Sequence, residues 1–191
     1  MTVHTKPYVT PEEYLALERA AETKSEYLDG EIIGMTGASR QHSLITANLI
    51  REIGQQMKGR PCEVLSGDMR IWVPVTGLYT YADLVVVCGE PALADGHFDT
   101  LTNPTVLIEV LSPSTRDYDR GTKFVHYRSL DSLRDYLLVS QDQPLVEHYV
   151  KQGDGNWLLS EQANLSATVA LASIGCQLAM AEIYDRVRFE A

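Results

Sequence analysis

The chain has 191 residues, of which 45% are hydrophobic, and a formal net charge of −10 at pH 7. This size and composition predict one folded domain over residues 1–191 rather than a disordered chain. No apolar stretch reaches the roughly 20 residues that a membrane-spanning helix needs. Residues 1–7 lack the apolar core of a secretory signal, so we expect a cytoplasmic protein. The acidic charge argues against a protein that coats a long nucleic-acid backbone, but it leaves room for a local basic cleft or for a metal ion that neutralises phosphate.

The first sixty residues predict a helix, a hairpin and a second helix. Thr10-Pro11-Glu12-Glu13 combines an N-cap, a proline at the first helical position and a capping box. Two short strands over residues 27–35 flank Asp29-Gly30, which is a strong hairpin signal. Residues 42–57 carry apolar side chains at helical spacing, and Gly59-Arg60-Pro61 ends that helix.

The rest of the chain is mostly strand, with one further helix. We predict strands over 62–65, 69–73, 81–87, 106–111, 135–139, 146–150 and 157–159, a loop over 89–104, a helix over 115–130, and a strand, turn and short helix over 174–187. The runs at 84–87 and 106–111 are continuously apolar, as in central strands. The predicted fold class is therefore α/β, with a mixed central β-sheet flanked by α-helices.

The three cysteines, Cys62, Cys88 and Cys176, lie far apart and form no CxxC pair. This spacing argues against both a disulfide framework and a zinc site. Cys88 ends an apolar run and is interpreted as a small buried hydrophobic residue.

Two acidic residues fall inside the apolar runs, Asp83 within residues 81–87 and Glu109 within residues 106–111. A carboxylate in such a setting is costly unless something pairs with it. If the two strands are neighbours, the carboxylates can share a hard divalent cation, Mg²⁺ or Mn²⁺, with the backbone carbonyl of Val110 completing the shell. Such a cation is suited to the hydrolysis of a phosphodiester.

Basic residues follow the second acidic run. Arg116, Arg120 and Lys123 recur at i, i+4 and i+7, so one helix face is predicted to carry all three, with Tyr127 extending it. Lys123 is a candidate to orient the attacking water or to stabilise charge at phosphorus. The two arginines are candidates to hold flanking phosphates, because a planar guanidinium fits a phosphate well.

These residues resemble the Uma-type endonuclease family, formerly a domain of unknown function, which belongs to the PD-(D/E)XK superfamily. The segments that carry the resemblance are Asp83, Glu109-Val110-Leu111, Ser112-Pro113-Ser114-Thr115, Asp119, Lys123, Tyr27-Leu28-Asp29-Gly30-Glu31, His42 and Asp135-Tyr136-Leu137-Leu138-Val139. The resemblance covers most of the chain and implies a single restriction-endonuclease-like domain. It also implies that the catalytic lysine is Lys123, because Leu111 stands where many superfamily members have that lysine. Ala82 replaces the superfamily's proline before the aspartate.

Each candidate also has a purely structural interpretation. Asp83 could cap a loop or pair with an arginine, and Lys123 could lie on a solvated helix face. Arg116 and Arg120 could form ordinary surface ion pairs. His42 could be a core or capping residue rather than a neighbour of the metal. Glu31 could supply a further carboxylate or be an exposed charge on an edge strand.

The function predicted from these patterns is a magnesium-dependent nuclease that hydrolyses nucleic-acid phosphodiester bonds, with DNA as the expected substrate. A homodimer is expected because two-fold symmetry suits the cutting of both strands of a duplex. Two alternatives stay open: a non-catalytic interaction protein that keeps the nuclease scaffold, and a metal-dependent hydrolase of a small phosphorylated molecule. The acidic charge favours the first alternative.

Overall fold

The computed structural model describes residues 8–189, so the expectation about a secretory signal lies outside the described residues. The helices are α1 (Pro11–Ala20), α2 (Arg40–Met57), α3 (Arg116–Tyr118), α4 (Phe124–Tyr127) and α5 (Met180–Ile183), with a π-helical turn at Asp119–Lys123 and a 3₁₀ turn at Ala172–Ile174. The strands are β1 (Ser25–Leu28), β2 (Glu31–Gly34), β3 (Cys62–Ser66), β4 (Arg70–Val73), β5 (Leu78–Tyr81), β6 (Leu84–Cys88), β7 (Thr100–Leu101), β8 (Val106–Leu111), β9 (Asp135–Ser140), β10 (Val146–Lys151), β11 (Trp157–Gln162), β12 (Thr168–Leu171) and β13 (Cys176–Ala179).

The strands form a six-stranded sheet, a five-stranded sheet and a small two-stranded one. The six-stranded sheet has the order β11-β10-β9-β8-β6-β3, the five-stranded sheet has the order β2-β1-β5-β4-β7, and β12 pairs with β13. Strands β8 and β9 run parallel, whereas β6 runs antiparallel to β8. The predicted α/β class with mixed sheets and flanking helices is thus confirmed.

Local sequence signals account for the N-terminal elements. Thr10 caps α1 through its side chain, and Glu13 closes the capping box. Asp29 and Gly30 both adopt positive φ, at 48° and 85°, as a two-residue hairpin turn requires. The predicted second helix is confirmed and begins earlier, at Arg40, because the side chain of Ser39 caps it.

The strand predicted over residues 81–87 is wrong in one respect. Tyr81 ends β5 and Leu84 begins β6, so Asp83 lies between two strands that belong to different sheets. An apolar run with one polar member does not reveal this break, because residues on both sides are buried.

The two faces of the six-stranded sheet are buried in separate cores. One face packs against α2, α5 and the strands β12 and β13, and the other packs against β4, β5 and the helical segment that ends in α4. Because side chains alternate along a strand, even-numbered residues of β6 and β8 enter the first core and odd-numbered residues enter the second.

The prediction that the cysteines form no disulfide is wrong. Cys62 and Cys88 lie opposite each other on β3 and β6 and are disulfide-bonded, while Cys176 is free and buried. The pairing joins two cysteines that are 26 residues apart and follows from the register of β3 and β6, which the spacing of cysteines along the chain does not show.

Candidate active site

Asp83 and Glu109 lie at neighbouring positions of the sheet. In the antiparallel ladder of β6 and β8, Leu84 pairs with Ile108, so Asp83, just before β6, continues the register opposite Glu109. Glu109 has the odd-numbered parity that faces the core beneath β4 and β5, whereas Asp83 lies at the end of the ladder, next to the first turn of α2. The strand arrangement therefore brings together the two carboxylates that the sequence singled out.

Asp83 is held at the edge of this site and stays partly accessible, with 25% of its side chain exposed. Its Oδ2 atom accepts a hydrogen bond of 2.7 Å from the backbone N–H of Val110. The Nε2 atom of His42, in the first turn of α2, lies 3.1 Å from the same oxygen. His42 is thus a neighbour of Asp83, and the side chain that caps α2 is that of Ser39.

Glu109 is buried, with 5% of its side chain exposed. Its Oε1 atom lies 3.0 Å from Nζ of Lys123 and accepts a hydrogen bond of 3.0 Å from the hydroxyl of Tyr127. Burial raises the pKa of the Glu109 carboxyl well above its ordinary value, and the ammonium of Lys123 opposes this shift. Both contacts use Oε1, and within residues 8–189 no hydrogen bond or ion pair of Oε2 is found.

Four oxygen atoms surround the ammonium of Lys123, whose side chain is only 4% exposed. It donates a 3.0 Å hydrogen bond to the carbonyl of Tyr81, and it lies 3.0 Å from Glu109, 3.3 Å from Glu26 and 3.6 Å from Asp119. Burial alone would lower the pKa of Lys123, but these carboxylates raise it well above its usual value. The interpretation of Lys123 as a solvated surface residue is therefore wrong.

Glu26 of β1 is a third carboxylate that sequence reasoning missed. Besides contacting Lys123, it accepts hydrogen bonds from the hydroxyl of Tyr118, at 2.9 Å, and from the hydroxyl of Thr80. The predicted alternative, Glu31, is exposed on the edge strand β2 and does not enter the site. No sequence signal pointed to Glu26, because the burial of Ser25, Glu26 and Tyr27 in β1 becomes visible only in the structure.

The prediction that one helix face carries the basic residues is wrong. Lys123 and Tyr127 are buried beside Glu109, whereas Arg120 turns toward Glu147 of β10 and Arg116 is exposed. Lys123 and Tyr127 are separated from Arg116 and Arg120 because Asp119–Lys123 form a π-helical turn. Such a turn has more residues than an α-helical turn, so the i, i+4, i+7 spacing no longer keeps all of these residues on one face.

The donor atoms at this site suit a hard cation. Among residues 8–189, no group of three or more His, Cys, Asp or Glu side chains is arranged to hold a metal ion. Two carboxylates are nevertheless the usual protein contribution to a magnesium site, where water and substrate phosphate fill the remaining positions. Asp83 and Glu109 fit that kind of donor set, and the observed contact of Val110 there is its backbone N–H, which donates to Asp83.

The chain belongs to the Uma2 family, whose model, described as "Putative restriction endonuclease", matches residues 11–181. Two relatives come from Synechocystis sp. (strain ATCC 27184 / PCC 6803 / Kazusa). "Uncharacterized protein sll1609" is 40% identical over 169 residues, covering 88% of this chain and 96% of its own. "Uncharacterized protein slr1290" is 40% identical over 184 residues, covering 96% and 95%. The resemblance drawn from the sequence motifs is thereby confirmed.

The fold matches a solved structure described as a putative nuclease belonging to DUF820, from Anabaena variabilis ATCC 29413. The TM-score is 0.76 over 94% of this chain and 99% of that one, at 20% sequence identity. This likeness shows a nuclease-like fold. Within residues 8–189, none of the helices has the length and apolar character to cross a membrane.

Proposed function

We propose that this protein is a metal-dependent endonuclease that hydrolyses phosphodiester bonds of nucleic acid, with Mg²⁺ or Mn²⁺ held by Asp83 and Glu109. One observation carries the proposal: Asp83, just before β6, continues the register opposite Glu109 of β8, and a buried lysine amine lies 3.0 Å from Glu109. Membership of a family whose model is described as "Putative restriction endonuclease" supports the same reaction class.

A cation bound here would polarise the scissile phosphate and lower the pKa of a coordinated water. The protein's own contribution is to fix its ligands in place. The N–H of Val110 and the imidazole of His42 hold Oδ2 of Asp83, and the hydroxyl of Tyr127 holds Oε1 of Glu109. Ligands that are held in advance need no rearrangement when a cation and substrate arrive.

Lys123 has a defined electrostatic role in this proposal. Its ammonium compensates the buried charge of Glu109 and allows that carboxylate to ionise. We propose that the same amine also assists the attacking water, as the resemblance to the family implies. Glu26 and Asp119 then act as positioning residues, because they lie 3.3 and 3.6 Å from the ammonium of Lys123.

We expect DNA as the substrate and a homodimer as the active form, since cleavage of both strands of a duplex suits two copies related by two-fold symmetry. The net charge of −10 argues against binding of nucleic acid through long basic tracks. We therefore expect substrate binding to depend on the cation and on few basic side chains.

A cleavage assay tests the proposal. Supercoiled plasmid, single-stranded DNA, RNA and a small phosphodiester are each incubated with the protein in Mg²⁺, in Mn²⁺ and in EDTA. The Asp83→Asn variant, purified identically, controls for contaminating nucleases. We expect cation-dependent cleavage of DNA by the parent protein and none by the variant.

The other outcomes discriminate the alternatives. Cleavage of the small phosphodiester alone would favour a hydrolase of small phosphorylated molecules. No cleavage of any substrate, together with no binding of Mn²⁺ in calorimetry, would favour a non-catalytic protein on this scaffold. Equal cleavage by the parent and by Asp83→Asn would contradict the assignment of the site.

A further inference from the structure

A cavity of about 260 Å³ opens where the parallel strands β8 and β9 end. Its lining consists of Leu111, Arg116, Arg120, Ser140, Asp142 and Gln143. Leu111 and Ser140 are partners in the ladder and are the last residues of their strands, so the cavity continues the sheet beyond its edge. A pocket bounded by two guanidinium groups and two neutral polar side chains is suited to an oxygen-rich ligand.

The cavity lies in line with the candidate active site. Leu111 follows Glu109 by two residues on β8 and therefore points to the same side of the sheet. At a rise of roughly 3.3 Å per residue, the two positions are about 7 Å apart along the strand. A polymer whose backbone passes Glu109 can thus reach the cavity with its next unit.

Arg120 is held in a way that leaves most of its donors available. Its Nε atom donates to both carboxylate oxygens of the buried Glu147, at 2.9 and 3.0 Å. Within the part of the chain that the structure describes, neither terminal nitrogen of Arg120 makes a hydrogen bond or ion pair, and the same is true of the guanidinium of Arg116. A guanidinium fixed through Nε presents a planar fork that matches phosphate oxygens.

Charge alone does not make this cavity a strong binding site for a free anion. Arg116 and Arg120 are matched in number by Asp142 and Glu147, so the surroundings are close to neutral. An anion that is tethered beside the site has a further advantage, because its effective concentration is set by the tether. The cavity should therefore take a phosphate that belongs to an already bound strand much better than it takes a free phosphate ion.

We propose that this cavity binds a backbone phosphate of the nucleic-acid strand whose neighbouring phosphate lies at Asp83 and Glu109, with Arg116 and Arg120 as the contacting residues. This inference rests on the proposed function and extends it by naming a second contact along the strand. Glu147 is the positioning residue that aims Arg120, and Ser140 and Gln143 supply neutral polar groups beside the phosphate.

Binding to labelled single-stranded DNA and RNA oligonucleotides tests the inference by fluorescence anisotropy at several salt concentrations. All proteins keep Asp83 and Glu109, and Ca²⁺, a hard cation with oxygen ligands, replaces Mg²⁺ and Mn²⁺. Gel electrophoresis of the recovered oligonucleotides checks that no strand is cut during the measurement. The variants are Arg116→Ala, Arg120→Lys and Arg116→Ala with Arg120→Lys, and the matched control is Arg128→Ala. Arg128 is an exposed arginine that follows the same helical segment and lies outside the cavity lining. Circular dichroism checks that each variant is folded.

We expect Arg116→Ala to weaken binding by roughly tenfold, and the salt slope of log K to fall by about 0.7 for the lost single-strand contact. Arg120→Lys keeps the charge but loses the fork, so a smaller weakening with an unchanged slope is expected. Inorganic phosphate at millimolar concentration should compete weakly. Arg128→Ala should bind like the parent.

Two results would overturn the inference: equal binding by the double variant and by Arg128→Ala, or no measurable binding of any oligonucleotide by the parent. The proposed function is judged separately by cleavage. A protein that cuts DNA but binds independently of Arg116 and Arg120 would contradict this inference alone. A protein that cuts nothing, but whose binding depends on both arginines, would contradict the catalytic proposal alone.

Discussion

Two clusters of buried polar side chains lie on opposite faces of the six-stranded sheet, and they differ in how their charges are matched. The first gathers the carboxylates of Glu26, Glu109 and Asp119 around the single ammonium of Lys123. In the second, one carboxylate, Asp135, lies 2.7 Å from His148 and accepts a hydrogen bond from Ser173.

The two clusters differ in their balance of charge, because in the first cluster three carboxylates face one ammonium. Burial raises the pKa of both Glu109 and Asp119, as expected where carboxylates outnumber the cation that faces them. The second cluster satisfies one buried carboxylate with two nearby donors, which is what a stable interior requires. We infer that the first is maintained for binding and chemistry and the second for the fold, and substitutions in each should separate these roles.

The largest effect is expected from removing both proposed ligands, Asp83→Asn with Glu109→Gln. Cleavage should fall by a factor of about 1,000 or more, as when preorganised electrostatic groups are removed from an active site. Calorimetric titration with Mn²⁺ should show no binding. The free energy of unfolding should change little, because Lys123 keeps Glu26 and Asp119 as charged partners when Glu109 is replaced by a neutral residue.

Glu31→Gln is the matched control for the double variant Asp83→Asn with Glu109→Gln, since Glu31 is an exposed carboxylate on the edge strand β2. It should bind Mn²⁺ like the parent. Undiminished Mn²⁺ binding by the double variant would show that the metal site was assigned to the wrong residues.

The next largest effect is expected from Lys123→Met. Removing the ammonium leaves Glu109 buried beside two other carboxylates, and loss of one partner from a buried ion pair typically costs about 3–5 kcal/mol. Urea denaturation should show this loss as a lower midpoint with little change in slope.

Adding Glu109→Gln to Lys123→Met sharpens the interpretation. If the amine mainly compensates Glu109, the second substitution should recover much of the lost stability, whereas cleavage stays absent. Simple additivity of the two effects in this double-mutant cycle would argue that Lys123 and Glu109 do not depend on each other.

A smaller effect, on stability, is expected from Asp135→Asn, which lies in the second cluster. His148 and Ser173 lose their charged acceptor, which should cost about 1–3 kcal/mol of stability. Cleavage by the folded protein and its Mn²⁺ affinity should match the parent. A specific loss of cleavage in a fully folded Asp135→Asn protein would remove the contrast between the two clusters.

The smallest effect concerns His126, whose Nδ1 atom is buried and lacks a hydrogen-bond partner among the described residues. Burial lowers the pKa of His126, and the nearby Glu26 opposes the shift. A lowered folded-state pKa means that its contribution to stability is present above the unfolded-state value of about 6.5 and is lost as the pH falls through the folded-state pKa. His126→Leu should therefore flatten the fall of stability on the acid side of pH 6.5, measured by thermal unfolding across pH. An unchanged acid-side slope would contradict this.

The sequence predicted the main carboxylates because burial of a charge is visible in an apolar run. Asp83 and Glu109 interrupt such runs, and each must meet a partner. The hairpin at Asp29-Gly30 and the cap at Thr10 were predictable for a similar reason, since both depend on residues adjacent in the chain.

The features that escaped prediction depend on long-range register or on helix phase. Glu26 reaches Lys123 only because β1 packs beside β5, which the local pattern of a four-residue strand does not encode. The Cys62–Cys88 bond likewise follows from the pairing of β3 with β6. The π-helical turn at Asp119–Lys123 shifts the basic residues onto two faces, and no residue type marks such a turn in advance.

The most direct measurement is the anomalous diffraction of a crystal soaked in Mn²⁺. We predict one strong manganese peak with an oxygen of Asp83 and an oxygen of Glu109 both within about 2.2 Å, the range for small hard cations with carboxylate ligands. A manganese ion bound elsewhere, or a site that stays empty at millimolar Mn²⁺ while both carboxylates keep their present contacts, would contradict it.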